Sequence, residues 1–419
     1  VTTLFDRLGV DYDVVTPQAT PDGNFPTCPY PNPETEAAFD EAKKCIAAEG
    51  APNYDVVIAT DPDADRVAIA VPTENGLQRF SGNELGCMLL EFILNNRLRQ
   101  GTLPEHSKCI KSIVTTPMVL NIAERYGCEN IDVLTGFKYI GSTILGLEQK
   151  GRENEVVFAF EESCGFLKGT YARDKDAQIA CVLVCALAAS CKLEGVSIAE
   201  NMQRLYETYG YYKTQVVSVE LDGEAGKQRC STFIDSLRDN CPGEIAGLQV
   251  KTVADYKLGV EKDLSSGEEK KLDFPSSNVL SYGVGQRSRV ILRPSGTEPK
   301  LKIYYFAADD TAEAAQATLE RLKQAMAEKL RQEHGLEVQC LLTKKQGHAT
   351  EIARRLCQSG EELRFYACGG DGTVNEVANG IIGYDNAAMT VIPVGTGNDF
   401  LKNFGPEDME KFRDAENLW

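Results

Sequence analysis

Three short apolar runs, at 110–116, 131–134 and 156–160, alternate with segments of helical periodicity from Asn83 onward. Strands that alternate with helices pair in parallel, because the right-handed crossover lays each helix back on the sheet. The segment 83–210 is therefore expected to be an α/β unit. In such a unit the polar residues beyond the carboxyl ends of the strands face the ligand. Here the third run ends in Glu161-Glu162-Ser163-Cys164-Gly165, and its loop continues to Arg173-Asp174-Lys175-Asp176 before a helix at 177–193.

A chain of 419 residues predicts several such domains. Residues 1–82 alternate short helical and strand patterns around a polar, proline-rich connection at 16–34. Residues 211–333 read as α+β. Strands are expected at 215–221, 248–253, 278–282, 288–292 and 301–306, with one helix at 224–239. The helix after Asp310 carries Leu319, Leu322, Met326 and Leu330 on one face, with Asp310 and Glu313 as its capping pair. Near His334-Gly335 the pattern restarts, with strand 337–342, helix 348–357, strand 363–367, helix 374–382 and strand 389–393. Residues 337–419 are thus expected to form a fourth domain, of α/β type.

Charge narrows the function classes. The chain carries 62 Asp and Glu against 44 Lys and Arg, a formal net charge of -18, which disfavours nucleic acid and anionic membrane as partners. No run reaches the length of a membrane-spanning helix. The 14 cysteines include no CxxC pair and are expected to be reduced thiols in a cytoplasmic protein. Val1 stands within what reads as an element, so an N-terminal portion is expected to be missing. Oligomeric state is left open.

Three loops carry chemistry. In Asp61-Pro62-Asp63-Ala64-Asp65-Arg66, three carboxylates at alternate positions would repel one another unless a hard cation sat among them. A calcium loop of the EF-hand type would need glycine and glutamate where Arg66 and Pro72 stand, and it would join helices. Here 55–59 and 67–71 read as strands. A solvated acidic turn is the remaining alternative. Glu161-Glu162-Ser163 offers carboxylates and a hydroxyl to vicinal sugar hydroxyls, although a carboxylate pair is often only a solvated loop. Arg293-Pro294-Ser295-Gly296-Thr297-Glu298-Pro299-Lys300 combines small residues, hydroxyls and two cations, either a phosphate cradle or a plain turn between strands.

Together, in this order, the three loops resemble the metal-binding, sugar-binding and phosphate-binding loops of the alpha-D-phosphohexomutases, which include phosphoglucomutase and phosphomannomutase. The resemblance covers about 1–333, and Thr135–Gly141 with Arg173–Asp176 looks most like the bacterial phosphoglucomutase branch. It implies successive α/β/α mutase domains at 1–82 and 83–210 and an α+β phosphate-binding domain at 211–333. It further implies that Asp61, Asp63 and Asp65 hold Mg²⁺, with Arg66 and Lys175 beside the transferring phosphoryl group or the sugar phosphate. Glu161, Ser163 and Lys138 would contact the hexose phosphate, and Arg293, Ser295, Gly296 and Thr297 would clamp its remote phosphate. The family's phosphoserine loop, a Ser-His-Asn-Pro type of segment, is not among these residues, so no mutase turnover is expected from this chain alone.

Downstream, Gly369-Gly370-Asp371-Gly372-Thr373 and Pro393-Val394-Gly395-Thr396-Gly397-Asn398-Asp399 are similar to the glycine loops of the diacylglycerol kinase catalytic family. That similarity implies a partial nucleotide-binding domain at 337–419, with Gly370, Asp371, Gly372, Thr373, Gly395 and Thr396 contacting ATP. A lipid kinase fragment, or a non-catalytic protein that binds sugar phosphate or nucleotide, is therefore the alternative to a phosphohexomutase.

Overall fold

The structure, a computed structural model, describes residues 1–48, 54–74, 76–220, 223–295, 300–334, 341, 343, 345, 347–360 and 363–392. The chain divides into two compact units. One comprises Val1–Val216, Gly243–Ile291 and Tyr304–Gln324, and the other Val217–Pro242, Leu292–Ile303 and Ala325–Trp419.

The first unit opens with helices α1 (Thr2–Leu8) and α2 (Asp40–Ala48) and strands β1 (Val57–Thr60), β2 (Val67–Thr73) and β3 (Gly76–Phe80). The three strands form an antiparallel sheet in chain order. β2 runs Val67 to Val71 without an exposed residue, which explains its unbroken apolar sequence.

Next come α3 (Gly82–Arg99), β4 (Lys108–Ser112), α4 (Met118–Arg125), β5 (Glu129–Val133), α5 (Phe137–Glu148), β6 (Val156–Glu161), β7 (Gly165–Leu167), α6 (Ala177–Leu193) and α7 (Ile198–Tyr209). The sheet order is β5-β4-β6-β7, parallel as expected through β6 and closed by an antiparallel edge at β7. Phe158 and Phe160 join the core shared with α3 and α6, whereas Val156 and Ala159 join Phe137, Ile140 and Ile144 of α5. Both faces of β6 are therefore covered, as the βαβ order requires. Ser81 and Glu84 form a capping box that starts α3, and Ser197 with Glu200 starts α7. The expected strand 110–116 stops at Ser112, because Thr115 N–H turns back to the Ser112 carbonyl at 3.0 Å.

Residues 211–334 contain β8 (Tyr211–Glu220), α8 (Gly223–Asp239), β9 (Glu244–Ile245), β10 (Leu248–Asp255), β11 (Val260–Asp263), β12 (Glu269–Lys271), β13 (Leu280–Val284), β14 (Ser288–Pro294), β15 (Lys300–Asp309) and α9 (Ala312–His334). Seven of these strands lie in the order β12-β11-β10-β13-β14-β15-β8, and β9 pairs with β10. The hairpin β11–β12 was not legible in the sequence, since its exposed Glu269–Lys271 strand carries no apolar alternation. Asp310 is not the cap of α9. It pairs with Arg287 at 2.5 Å, and the Thr311 hydroxyl accepts Ala314 N–H instead. Leu319, Leu322 and Met326 are buried as the stripe predicts, whereas Leu330 is half-buried.

Within the second unit, α10 (His348–Cys357), β16 (Leu363–Cys368), α11 (Asp371–Ile381) and β17 (Ala387–Ile392) form an α/β fragment whose two strands pair in parallel. Ala349, Ala367, Val374, Val377 and Val391 make its core. The expected helix at 374–382 begins three residues earlier, which draws Asp371, Gly372 and Thr373 into its first turn. The expected strand at 337–342 falls mostly outside the described residues.

Among the described residues no single helix is long and apolar enough to cross a membrane. Twelve cysteines among the described residues are free thiols, most of them buried.

Candidate functional site

The acidic loop leaves β1 and returns into β2 through a tight turn. Ala64 takes a left-handed conformation, φ 56°, and its N–H donates to the Asp61 carbonyl at 3.1 Å. Asp61 is the keystone, its side chain only 1% exposed. Its Oδ1 accepts the N–H groups of Asp65 at 3.1 Å and Arg66 at 2.9 Å, and its Oδ2 accepts Arg66 Nε at 2.8 Å. Burial works to raise the Asp61 carboxyl, but the Arg66 backbone and guanidinium together hold it below the ordinary aspartate value. Asp61, Asp63 and Asp65 each present an oxygen within 4.8 Å of the others, the hard donor set that Mg²⁺ prefers.

Two other loops are stitched to this one. Arg66 forms a β-bridge with Gly165, and Val67 N–H donates to the Cys164 carbonyl at 3.0 Å, which fixes the Glu161-Glu162-Ser163 turn beside the acidic loop. Lys175 Nζ pairs with Asp65 Oδ2 at 2.6 Å, and Ala177 N–H donates to the Ala64 carbonyl at 3.1 Å. Asp176 then caps α6 by accepting Gln178 and Ile179 N–H. Arg66, Lys175 and the three aspartates are thus one cluster.

Glu161 ends β6 with its carboxylate buried. Its Oε1 accepts the N–H of Gly136 at 2.8 Å, at the cap of α5, where φ of 118° favours glycine. Lys138 follows on α5, exposed, with Nζ 5.0 Å from the centroid of the Tyr139 ring. Ser163 is half-buried between Glu162 and Cys164. Gly82, the first residue of α3, packs against this turn so closely that a Cβ there would lie 2.2 Å from the Glu162 carbonyl oxygen and 2.7 Å from Cys164 N.

Sequence reasoning missed several groups. Ser112 donates to Glu162 Oε2 at 2.9 Å and shares a hydrogen bond with Thr115, both hydroxyl residues being fully buried. Glu34, in the proline-rich connection, stands 3.9 Å from Arg66 Nη1. Neither group has a motif around it. Burial of its carboxylate, and then the charge of Glu161, push Glu162 up to about 7. The sign follows. From the ordinary glutamate value of 4.5 up to about 7 the folded state holds the proton more tightly than the unfolded chain, so this group lowers stability as pH rises through that window. A Glu162→Gln variant is expected to be more stable than the parent above about pH 7 and to show a flatter dependence between about pH 5 and 7 by urea titration.

Arg293 is the half-buried penultimate residue of β14, and Ser295 N–H donates to the Lys300 carbonyl at 2.7 Å, closing the base of the phosphate-type loop. Gly296 and Thr297 lie outside the described residues, as do Gly395 and Thr396. Gly370 caps α11, its carbonyl accepting Thr373 N–H at 3.0 Å and Val374 N–H at 3.2 Å. Asp371, Gly372 and Thr373 fill the first turn, and Glu376 reaches back to the N–H groups of Gly347 and Ala349 at the start of α10.

Three consecutive family models match in chain order: phosphoglucomutase/phosphomannomutase alpha/beta/alpha domain II at residues 1–76, alpha/beta/alpha domain III at 81–209 and the C-terminal domain at 278–328. Through residue 328 the chain belongs to the phosphoglucomutase/phosphomannomutase family. This is a family of isomerases. A phosphoglucomutase of Staphylococcus aureus (strain MRSA252) is 36% identical over 294 residues, which is 70% of this chain and 51% of the relative. A phosphoglucomutase of Staphylococcus saprophyticus is 35% identical over 289 residues, 69% of this chain and 51% of the relative. The chain spans about half the length of the curated relatives it matches. The same fold occurs in the open form of parafusin from Paramecium, with TM-score 0.51 and 19% identity over 75% of this chain and 52% of that one. It occurs again in a phosphoglucomutase/phosphomannomutase family protein of Burkholderia thailandensis, with TM-score 0.53 and 16% identity over 80% of this chain and 57% of that one. Residues 312–417 match the diacylglycerol kinase catalytic domain, so both families claim the start of α9.

Proposed function

We propose that the 1–333 part of this chain is the metal-binding and sugar-binding portion of a phosphohexomutase that acts on hexose phosphates, organised as domains 1–82, 83–210 and 211–333. The observation that supports this reading is the stitching of three loops into one cluster of three carboxylates, Arg66 and Lys175. Asp61, Asp63 and Asp65 would hold Mg²⁺, which when bound neutralises charge on a transferring phosphoryl group. Arg66, oriented by Asp61 and Glu34, presents its guanidinium to the phosphoryl oxygens. Lys175 bridges from Asp65 toward the same group. Glu161 and Ser163 would take sugar hydroxyls, Lys138 would reach the sugar phosphate, and Arg293, Ser295, Gly296 and Thr297 would hold a phosphate. The free thiols among the described residues support a cytoplasmic reading.

Because no Ser-His-Asn-Pro type of segment is present, the chain is expected to bind glucose 1,6-bisphosphate yet not interconvert glucose 1-phosphate and glucose 6-phosphate. A coupled mutase assay beside a bisphosphate titration checks both halves. Bisphosphate binding that vanishes in Arg66→Gln supports the reading, and turnover at an ordinary mutase rate overturns the expected inactivity.

The match of residues 312–417 favours a second, separate reading for 337–419, a nucleotide-binding fragment. Gly370, Asp371, Gly372 and Thr373 at the start of α11, with Gly395 and Thr396, would take ATP phosphates.

A further inference from the structure

Away from the acidic loop, helices α3, α4, α6 and α7 enclose a cleft of about 180 Å³. It lies at the far end of α6. The first residue of that helix bonds to Ala64, whereas Leu187, Ser190 and Cys191 near its last turn line the cleft, and 17 residues of helix span about 25 Å.

Arg99, Arg125 and Arg204 converge there from three helices, on a chain of net charge -18. Two carboxylates share the cleft, but each is engaged. Glu91 accepts the Tyr126 hydroxyl at 2.5 Å, and Glu194 pairs with Arg204 at 3.4 Å. Among the described residues no ion pair engages Arg99 or Arg125. A basic residue in the last turn of a helix complements the helix dipole, and that alone would account for Arg99 and Arg125.

It does not account for Tyr209. This residue is 8% exposed and lines the cleft, and its hydroxyl is buried without a hydrogen-bond partner. Arg125 lies over the ring, 5.8 Å from its centroid, and both it and Tyr126 stand close enough to act on the hydroxyl, but neither meets hydrogen-bond geometry with the oxygen. Such a group destabilises the fold unless a ligand satisfies it. Guanidiniums that approach from several directions, together with a hydroxyl and the amides of Asn95 and Asn201, suit a tetrahedral oxyanion better than a planar carboxylate.

We infer that the cleft among α3, α4, α6 and α7 binds a small phosphate-bearing anion, with Tyr209 Oη donating to it and Arg99 and Arg125 supplying the charge. The ligand is inorganic phosphate or a phosphate monoester, which share this chemistry. The site is separate from the acidic loop and does not depend on the function proposed for it.

The test is hydrogen exchange on the full chain with added inorganic phosphate, and in a parallel arm with glycerol phosphate. Protection is expected in peptides spanning 91–100, 121–127 and 201–209, and the arm that protects at lower concentration identifies the source. The Arg99→Gln/Arg125→Gln double variant, altered only at exposed residues, loses that protection while keeping its melting temperature. Tyr209→Phe weakens the same protection about five- to tenfold, the loss of one hydrogen bond, while melting at an unchanged or higher temperature because an unsatisfied hydroxyl is gone. Protection confined to 61–66, 161–176 or 293–300, protection that survives the double variant, or none at all would overturn the proposal.

Discussion

Asp61→Ala is expected to cost about 2–3 kcal/mol of folding stability and to abolish Mg²⁺ binding. A buried charge pair broken on one side ordinarily costs ~3–5 kcal/mol. The smaller figure applies here because the Arg66 side chain keeps 31% exposure and can be hydrated once its partner is gone. Two backbone N–H groups, of Asp65 and Arg66, lose their acceptor at the same time, so the turn that presents the other two aspartates loosens. The loss of metal affinity should exceed the 10–100-fold, roughly, that follows when only a ligand's support is removed. Asp61→Asn separates the two effects, since an amide oxygen still accepts N–H groups. It should retain more stability than Asp61→Ala and still bind metal poorly. Urea denaturation beside metal titration of the two variants checks the pair.

The second large effect lies under the sheet. Lys111 on β4 is fully buried, and its Nζ meets Asp132 Oδ1 on the register-paired strand β5 at 2.8 Å. Burial works to raise the Asp132 carboxyl, but Lys111, Asn130 and Arg289 together hold it below the ordinary aspartate value. Asp132→Ala strands a buried ammonium and is expected to destabilise by about 3–5 kcal/mol, visible as a lower urea midpoint with unchanged slope. The Lys111→Met/Asp132→Leu double variant should recover most of that loss, because an apolar pair of similar volume carries no desolvation cost. The depressed carboxyl also sets a pH direction. Its contribution is present above the ordinary aspartate value of 3.8 and is lost as pH falls through the lower, folded value.

What was legible in the sequence was local. The aspartates of the acidic loop are neighbours in the chain, so their convergence follows from a two-residue spacing and the structure keeps it. The parallel β5-β4-β6 core followed from the alternation of apolar runs with helical periodicity, and of the stripe Leu319, Leu322, Met326 and Leu330 the first three were buried as read. What escaped was contact across distance or competition between neighbours. Nothing around Ser112 points to Glu162, 50 residues later, and nothing around Glu34 points to Arg66. Asp310 has the right chemistry for a helix cap, but Arg287 draws it away and the next hydroxyl takes the role. β7 and β12 are three-residue strands, too short for an alternating pattern to register. The glycine loops of 337–419 were read from their glycines and from a family resemblance, and the structure adds a first-turn position for Asp371, Gly372 and Thr373.

The central claim is that the acidic loop is the Mg²⁺ site of a hexose phosphate centre, and calorimetric titration of Mg²⁺ into the full chain, with and without glucose 1,6-bisphosphate, tests it most directly. The account predicts weak binding by the chain alone, tighter binding with the bisphosphate, and loss of both in Asp63→Asn, a change at an exposed residue that leaves the fold intact. Mg²⁺ binding that is tight without the sugar phosphate, or that persists unchanged in Asp63→Asn, would contradict it.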